Sequence, residues 1–415
     1  MPPHRALTVG RLFGVRIRLA YSVFVLLVVL TVSLKLGVFG VWHPDWPELA
    51  LWGLALLGTA LFVGSILAHE LSHAIAAKAY DIPVGSITLF LLGGVASIER
   101  EPATAKQELV IAAAGPAMSL LLGGGFSLGG WLLVTNAPPS GDAWQTMQTM
   151  GPAATLLGWL GPVNVLIALF NLLPAYPLDG GRMLRAVLWK VTGNGTRATR
   201  WASSAGRGFG IALIGAGLTM SLGIALPVFG SGAVGGIWFV LVGWFLHRSA
   251  TSAASDLWLR EELDQVPIAR LMQPTRQAVS SWQPIADIRW NAHPTASHGI
   301  CVVLDDGNSV GVIRPADLQR LPEAFHAGAV CQQIMTPLSH LMHVPLRSSA
   351  FDLLQLFQRA KSNDIAVLAG GQIVGLVRTQ DLARLVAELQ EQRAAKQTLR
   401  RPALRQSSGG LSPSA

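Results

Sequence analysis

Six apolar stretches, at roughly 19–41, 49–77, 108–134, 153–174, 208–227 and 229–247, are each long enough to cross a bilayer. They constrain the fold more than any other feature, because a backbone in hydrocarbon must satisfy its own hydrogen bonds and therefore forms helices or a closed barrel. The last two stretches are separated mainly by Pro227 and a Gly/Ser-rich turn, and form either one hairpin or a poorly separated pair. Composition agrees with a membrane protein: 51% of the 415 residues are hydrophobic and 13% are charged, about half the usual charge content. Mean hydropathy is +0.45. The expected architecture is a polytopic α-helical membrane domain of about six spans, over 1–250, followed by a soluble α/β module.

Charge is unevenly spread. Residues 1–250 carry 15 Lys and Arg against 9 Asp and Glu, 251–395 carry 12 against 14, and 396–415 carry 4 against none. The excess lies at span ends and in the tail, which speaks for topology and attraction to an anionic lipid bilayer, not for nucleic acid. Arg5, Arg11, Arg16 and Arg18 precede the first stretch, and Arg182, Arg185, Lys190, Arg197 and Arg200 follow the fourth. The connections between the first and second stretches hold only His43, Asp45 and Glu48, and those between the third and fourth only Asp142. Retention of positive charge inside puts both termini in the cytoplasm of a multi-pass cell-membrane protein, a parity that six spans satisfy. The first apolar run continues too far for the core of a cleavable signal peptide. The two cysteines, Cys301 and Cys331, lack a zinc-type spacing and suit a reducing compartment.

His69-Glu70-Leu71-Ser72-His73 ends the second stretch. Histidines at i and i+4 share one helix face, so both rings can reach one zinc ion, and the intervening glutamate can act as general base. The bland alternative, two solvated histidines and a glutamate, fails on context: an ionisable cluster in hydrocarbon is expensive and marks a functional site. A catalytic zinc needs a third protein ligand. Asp179 is the strongest candidate, in Asn171-Leu172-Leu173-Pro174-Ala175-Tyr176-Pro177-Leu178-Asp179-Gly180-Gly181-Arg182 at the end of the fourth stretch. Taken alone it would pair with Arg182; its match in depth to the histidines reverses that. Glu99, Glu101 and Glu108 are the carboxylates to consider if Asp179 is not the ligand. Between them, Ile87–Val95 looks like a strand or hairpin tucked into the domain, or else an interfacial loop.

These motifs, together with Gly93-Gly94 and Gly115-Pro116-x-x-Ser119, resemble the site-2 protease family (peptidase M50) of intramembrane zinc metalloproteases. The resemblance covers roughly residues 10–250. It implies one zinc held by His69, His73 and Asp179, Glu70 as catalytic base, and Asn171 near the oxyanion or substrate backbone; a helix–helix hydrogen bond is the other role open to Asn171. It implies a membrane-anchored substrate, such as an anti-sigma factor or a signalling precursor, cut within or near its transmembrane helix.

Beyond Ala250 charged residues alternate with short β-branched runs. Ile268–Pro274 with Gly311–Leu318 is repeated as Cys331–Pro337 with Gly375–Leu382, an internal duplication. The halves, 251–325 and 326–392, resemble a tandem pair of CBS domains, and 393–415 is expected to be a disordered basic tail. That resemblance implies an adenine nucleotide and a homodimer through the pair as partners. Arg314 and Arg378 stand where the pattern has a hydroxyl residue, so phosphate would fall to them and ribose to Asp317 and Asp381. A ligand-free structural pair is the equal alternative. The rival to a protease is a CBS-regulated channel or transporter, although the remaining spans are too purely aliphatic to line a pore.

Overall fold

The structure is a computed structural model that describes all residues except 1–5, 92, 135–142, 227–231, 276, 289–300, 315–316, 318–327, 360–363 and 408–415. Arg5, Asp142, Pro227 and the end of the expected tail therefore lie outside the described residues. The chain divides into two compact units, Met1–Ser255 and Asp256–Ala415.

In the first unit a hairpin, β1 (Ala6–Leu12) and β2 (Val15–Ala20), leads into α1 (Tyr21–Leu34), which continues through a π-helical turn at Lys35–Phe39 to α2 (Gly40–Trp42). Then come α3 (Glu48–Lys78), β3 (Val84–Phe90), β4 (Gly93–Ile98), α4 (Ala105–Val134), α5 (Ala143–Thr149), α6 (Pro152–Asn171), α7 (Asp179–Thr192), α8 (Gly195–Ser221) and α9 (Ala233–Asp264). The strands form one sheet in the order β1-β2-β3-β4. Strands β2 and β3 run parallel and the other pairs antiparallel. Hence the segment at 87–95 is a hairpin; Arg16 and Arg18 lie in β2, which pairs with it, and Arg11 in β1 beyond. The inner face of the sheet, with Val15, Ile17, Ile87 and Leu89, forms one core with Ala74 and Ala77 of α3 and Ile111 of α4.

Among the described residues, five helices are long and apolar enough to cross a membrane: Tyr21–Trp42, Glu48–Lys78, Ala105–Val134, Pro152–Asn171 and Ala233–Asp264. They leave Val28, Leu56, Leu121, Leu166 and Trp244 exposed, an apolar exterior suited to lipid. The expected sixth, at 208–227, is instead the second half of α8, whose first half carries Arg197, Arg200 and Arg207. A span needs about 20 apolar residues, and α8 offers only Gly208–Ser221. That half packs tightly along α9, since a Cβ on Gly210 or Gly217 would meet the backbone at Gly243 or Gly236.

The second unit contains β5 (Gln273–Pro274), β6 (Gln277–Ser280), β7 (Cys301–Asp305), β8 (Asn308–Ile313), α10 (Cys331–Ile334), β9 (Thr336–Pro337), β10 (His343–Pro345), α11 (Ala350–Arg359), β11 (Asp364–Ala369), β12 (Gln372–Arg378) and α12 (Thr379–Ser407). Its two sheets run β6-β7-β8-β9 and β10-β11-β12-β5. Each half thus lends its short Pro-containing strand to the sheet of the other. Val302 and Val312 of the first half share a core with Ala366, Ile373 and Leu376 of the second, so the duplicated halves fold as one body. Residues 393–407, expected to be disordered, continue α12, because Ala, Gln, Leu and Arg favour helix.

Candidate metal centre

Helix α3 presents His69 and His73 on one face, as i,i+4 spacing requires, and both are buried, as is Asp179. Asp179 opens α7 after a loop broken by Pro174 and Pro177, with Leu178 at the N-cap. Gly180 and Gly181 follow it, packed against the backbone of Leu172 and Tyr176. Asp179 Oδ2 lies 3.1 Å from His69 Nε2 and 3.1 Å from His73 Nε2, and the two Nε2 atoms are 3.3 Å apart. Bonds of about 2.0–2.1 Å in a tetrahedral zinc site put ligand atoms about 3.3–3.4 Å apart. The three atoms therefore form nearly one face of such a tetrahedron, and the N, N, O donor set is one zinc accepts. Burial raises the Asp179 carboxyl, but hydrogen bonds from the His69 and His73 rings outweigh it and hold the group below the ordinary carboxylate range. Asp179 thus has its charge committed to the histidines rather than to Arg182.

Helix α4 supports the site from behind. His69 Nδ1 lies 2.8 Å from Ser119 Oγ, and His73 Nδ1 donates to the Ile111 carbonyl at 2.6 Å. With both Nδ1 atoms engaged, both Nε2 atoms turn to Asp179. Gly115 lies between Ile111 and Ser119; a Cβ there would overlap the Nε2 atoms of both histidines. Sequence reasoning quoted Gly115 and Ser119 as a motif but gave neither a role, although their four-residue spacing places both on one helix face.

Glu70 is half-buried and within electrostatic reach of His69, His73 and Asp179. It lies against β4, near the Ala96 amide, and a Cβ on Gly94 would overlap its side chain. Strand β4 is an outer strand of its sheet. Asn171 is turned differently: its amide donates to the Ile167 carbonyl, one turn back in its own helix, at 3.1 Å.

In the second unit Arg314 is held on every nitrogen. Nε and Nη2 meet Asp317 at 3.0 and 3.3 Å, Nη2 also meets Thr336 Oγ1 at 3.0 Å, and Nη1 meets Asp364 at 2.8 Å. Arg378 Nε lies 3.9 Å from the other oxygen of Asp364. Asp381 accepts from Gln273 Nε2 at 3.1 Å and from the Arg378 amide at 3.4 Å. Asp364 thus joins the two arginines, a partner the sequence pattern did not mark.

Residues 57–215 match the profile of peptidase family M50. The chain is similar to sll0528 of Synechocystis sp., named as a zinc metalloprotease, with 31% identity covering 91% of this chain and 94% of that protein. It is similar to Rip3 of Mycobacterium tuberculosis, named likewise, with 32% identity covering 92% and 93%. Among solved structures, the CBS domain of a bacterial CNNM/CorC family Mg2+ transporter in complex with ATP is 22% identical, covering 32% of this chain and 94% of that one, with a TM-score of 0.26.

Proposed function

The chain belongs to peptidase family M50 and is a zinc metalloprotease of that family, and on that premise we propose that it hydrolyses a peptide bond within or beside a transmembrane helix of a membrane-anchored substrate. The observation that carries this reading is the buried trio of His69 Nε2, His73 Nε2 and Asp179 Oδ2, 3.1–3.3 Å apart, in a domain whose long helices suit a bilayer. These three side chains would hold zinc, which when bound polarises the scissile carbonyl and acidifies water. Glu70 takes the proton from the attacking water and passes it to the leaving amine. A substrate helix hides its amides in i to i−4 bonds and must unwind first. Strand β4, beside Glu70 and paired with β3 alone among the described strands, offers an edge to which the unwound segment adds. An anti-sigma factor or signalling precursor fits as substrate because each is membrane-anchored.

Both termini are proposed to be cytoplasmic. The basic flanks at Arg11, Arg16 and Arg18 and at Arg182, Arg185, Lys190, Arg197 and Arg200 support this. The duplicated unit is proposed as a CBS-like regulatory or partner-docking pair, through which a homodimer would form. Its arginines do not fit a nucleotide phosphate as they stand, since Asp317 and Asp364 already neutralise Arg314.

Glu70→Gln tests the central reading. It should keep near-stoichiometric zinc and lose cleavage by on the order of 10²–10⁴-fold or more, seen by metal analysis and by mass spectrometry of membrane fragments from cells with each form. Cleavage at the wild-type level would end the assignment of the base.

A further inference from the structure

Glu108 and Arg185 form a buried ion pair that neither the ligand set nor the base uses. Glu108, in the first turn of α4, is wholly buried, and its Oε1 lies 2.8 Å from Arg185 Nη1. Arg185 belongs to α7, with its side chain 15% exposed. The pair is incompletely satisfied: Glu108 Oε2 and Arg185 Nε are both buried without a hydrogen-bond partner. Apolar residues would serve stability at least as well, because a buried ion pair with open valences rarely offsets its own desolvation. Its location gives it another use.

Helix α4 carries the Ile111 carbonyl that fixes His73, the Ser119 hydroxyl that fixes His69, and Gly115, which makes room for both rings. Helix α7 begins with Asp179. Asp179 and Arg185 are six residues apart, about 9 Å along the helix axis. Asp179 therefore reaches the histidines from a helix whose place on α4 is fixed between one and two turns further on, where Arg185 meets Glu108. We propose that Glu108 and Arg185 are positioning residues: they hold α7 on α4 so that Asp179 meets His69 and His73 at metal-binding spacing. This rests on the ligand reading above, since without Asp179 as ligand there is nothing to position.

The test is a double replacement in the full-length protein in detergent, read by zinc affinity against a competing chelator and by thermal unfolding without metal. Arg185→Met leaves Glu108 buried without its cation, and Glu108→Leu leaves Arg185 only the exposed Glu101 carboxylate at 3.9 Å; each should bind zinc about 10–100-fold more weakly. The double variant removes both polar groups, so its metal-free unfolding temperature should return to the wild-type value or above. Its zinc affinity should stay about 10–100-fold reduced, no worse than the weaker single variant. A double variant that folds and binds zinc like wild type would overturn the proposal, because the pair would then serve stability alone. If either single variant fails to fold, the double variant and Arg185→Lys carry the same measurement. Lysine keeps the charge but loses the fork, and wild-type zinc affinity in both would again overturn the proposal. Asp179→Ala, measured alongside, separates the two readings. Zinc lost there with wild-type affinity in the double variant removes only the positioning role; zinc retained there removes Asp179 from the ligand set and the proposal with it.

Discussion

Ser119 decides which way the His69 ring faces, since its hydroxyl is the partner of Nδ1 at 2.8 Å and leaves Nε2 toward Asp179. Such outer partners orient a ligand and raise its basicity, and losing one typically costs 10–100-fold in metal affinity, as an order of magnitude. Ser119→Ala should therefore weaken zinc by about 10–100-fold, while Ser119→Thr, which keeps the hydroxyl, should bind more tightly than Ala. Chelator competition on the purified variants measures both, and equal affinity in Ala and wild type would remove Ser119 from the site. At this scale the proposed ligands are far more legible in the sequence than the groups that support them. His69, Glu70 and His73 announce themselves by local spacing, and Asp179 by a matching depth. Ser119 stood in a quoted motif without a role, and the Ile111 carbonyl and Arg185 carry no local mark of theirs, because the partners of the three lie 50, 38 and 77 residues away.

Strand β4 has one side paired with β3 and stands at the end of the sheet order. Beside it, Glu70 packs on Gly94. If an unwound substrate adds to this edge, a proline whose missing N–H faces outward removes one of the bonds that hold it, while an inward-facing one damages the sheet. Single prolines at Val95, Ser97 and Ile98 should therefore sort into two groups, with Ala96 left intact because its amide lies against Glu70. The outward group keeps zinc and sheet but loses cleavage of a membrane substrate by roughly fivefold for each lost bond of about 1 kcal/mol. Zinc content and fragment analysis on the same preparations distinguish them, and full cleavage in all three would exclude β-addition at β4. The hairpin was legible because Ile87-Thr88-Leu89-Phe90 is β-branched and aromatic and ends in Gly93-Gly94. Helix α8 was not, because hydropathy scored its apolar half alone. A helix boundary at Gly195, set by the Asn194 side chain accepting from the Arg197 amide, is a cap signal that an apolar-run argument passes over.

At the scale of the whole chain, the duplicated unit is where a regulatory ligand would act. Its internal repeat was visible in the sequence and is matched by two sheets that exchange their short strands, and the ligand reading gave phosphate to Arg314 and Arg378 in place of the missing hydroxyl, with a ligand-free pair as the equal alternative. Arg314 is instead bound by Asp317 and Asp364, and the second oxygen of Asp364 faces Arg378 at 3.9 Å. A nucleotide phosphate would have to displace Asp364, giving up a charge-assisted bond worth about 1.5–3 kcal/mol before gaining its own. Calorimetry on the intact protein should then show no saturable heat with AMP, ADP or ATP, and cleavage should be unchanged by any of them. Asp364→Asn keeps the shape and removes the charge the two arginines share, leaving Asp317 on Arg314. It should bring out weak phosphate-dependent binding, tighter than wild type by about tenfold, or roughly 1.4 kcal/mol. Saturable heat with the wild-type protein would mean that the pair opens to accept a nucleotide, and a ligand can shift activity only if it prefers one arrangement of the halves over the other. Silence from both forms would leave the unit as a docking module, recognised by a protein partner through surfaces other than the Arg314–Asp364–Arg378 junction.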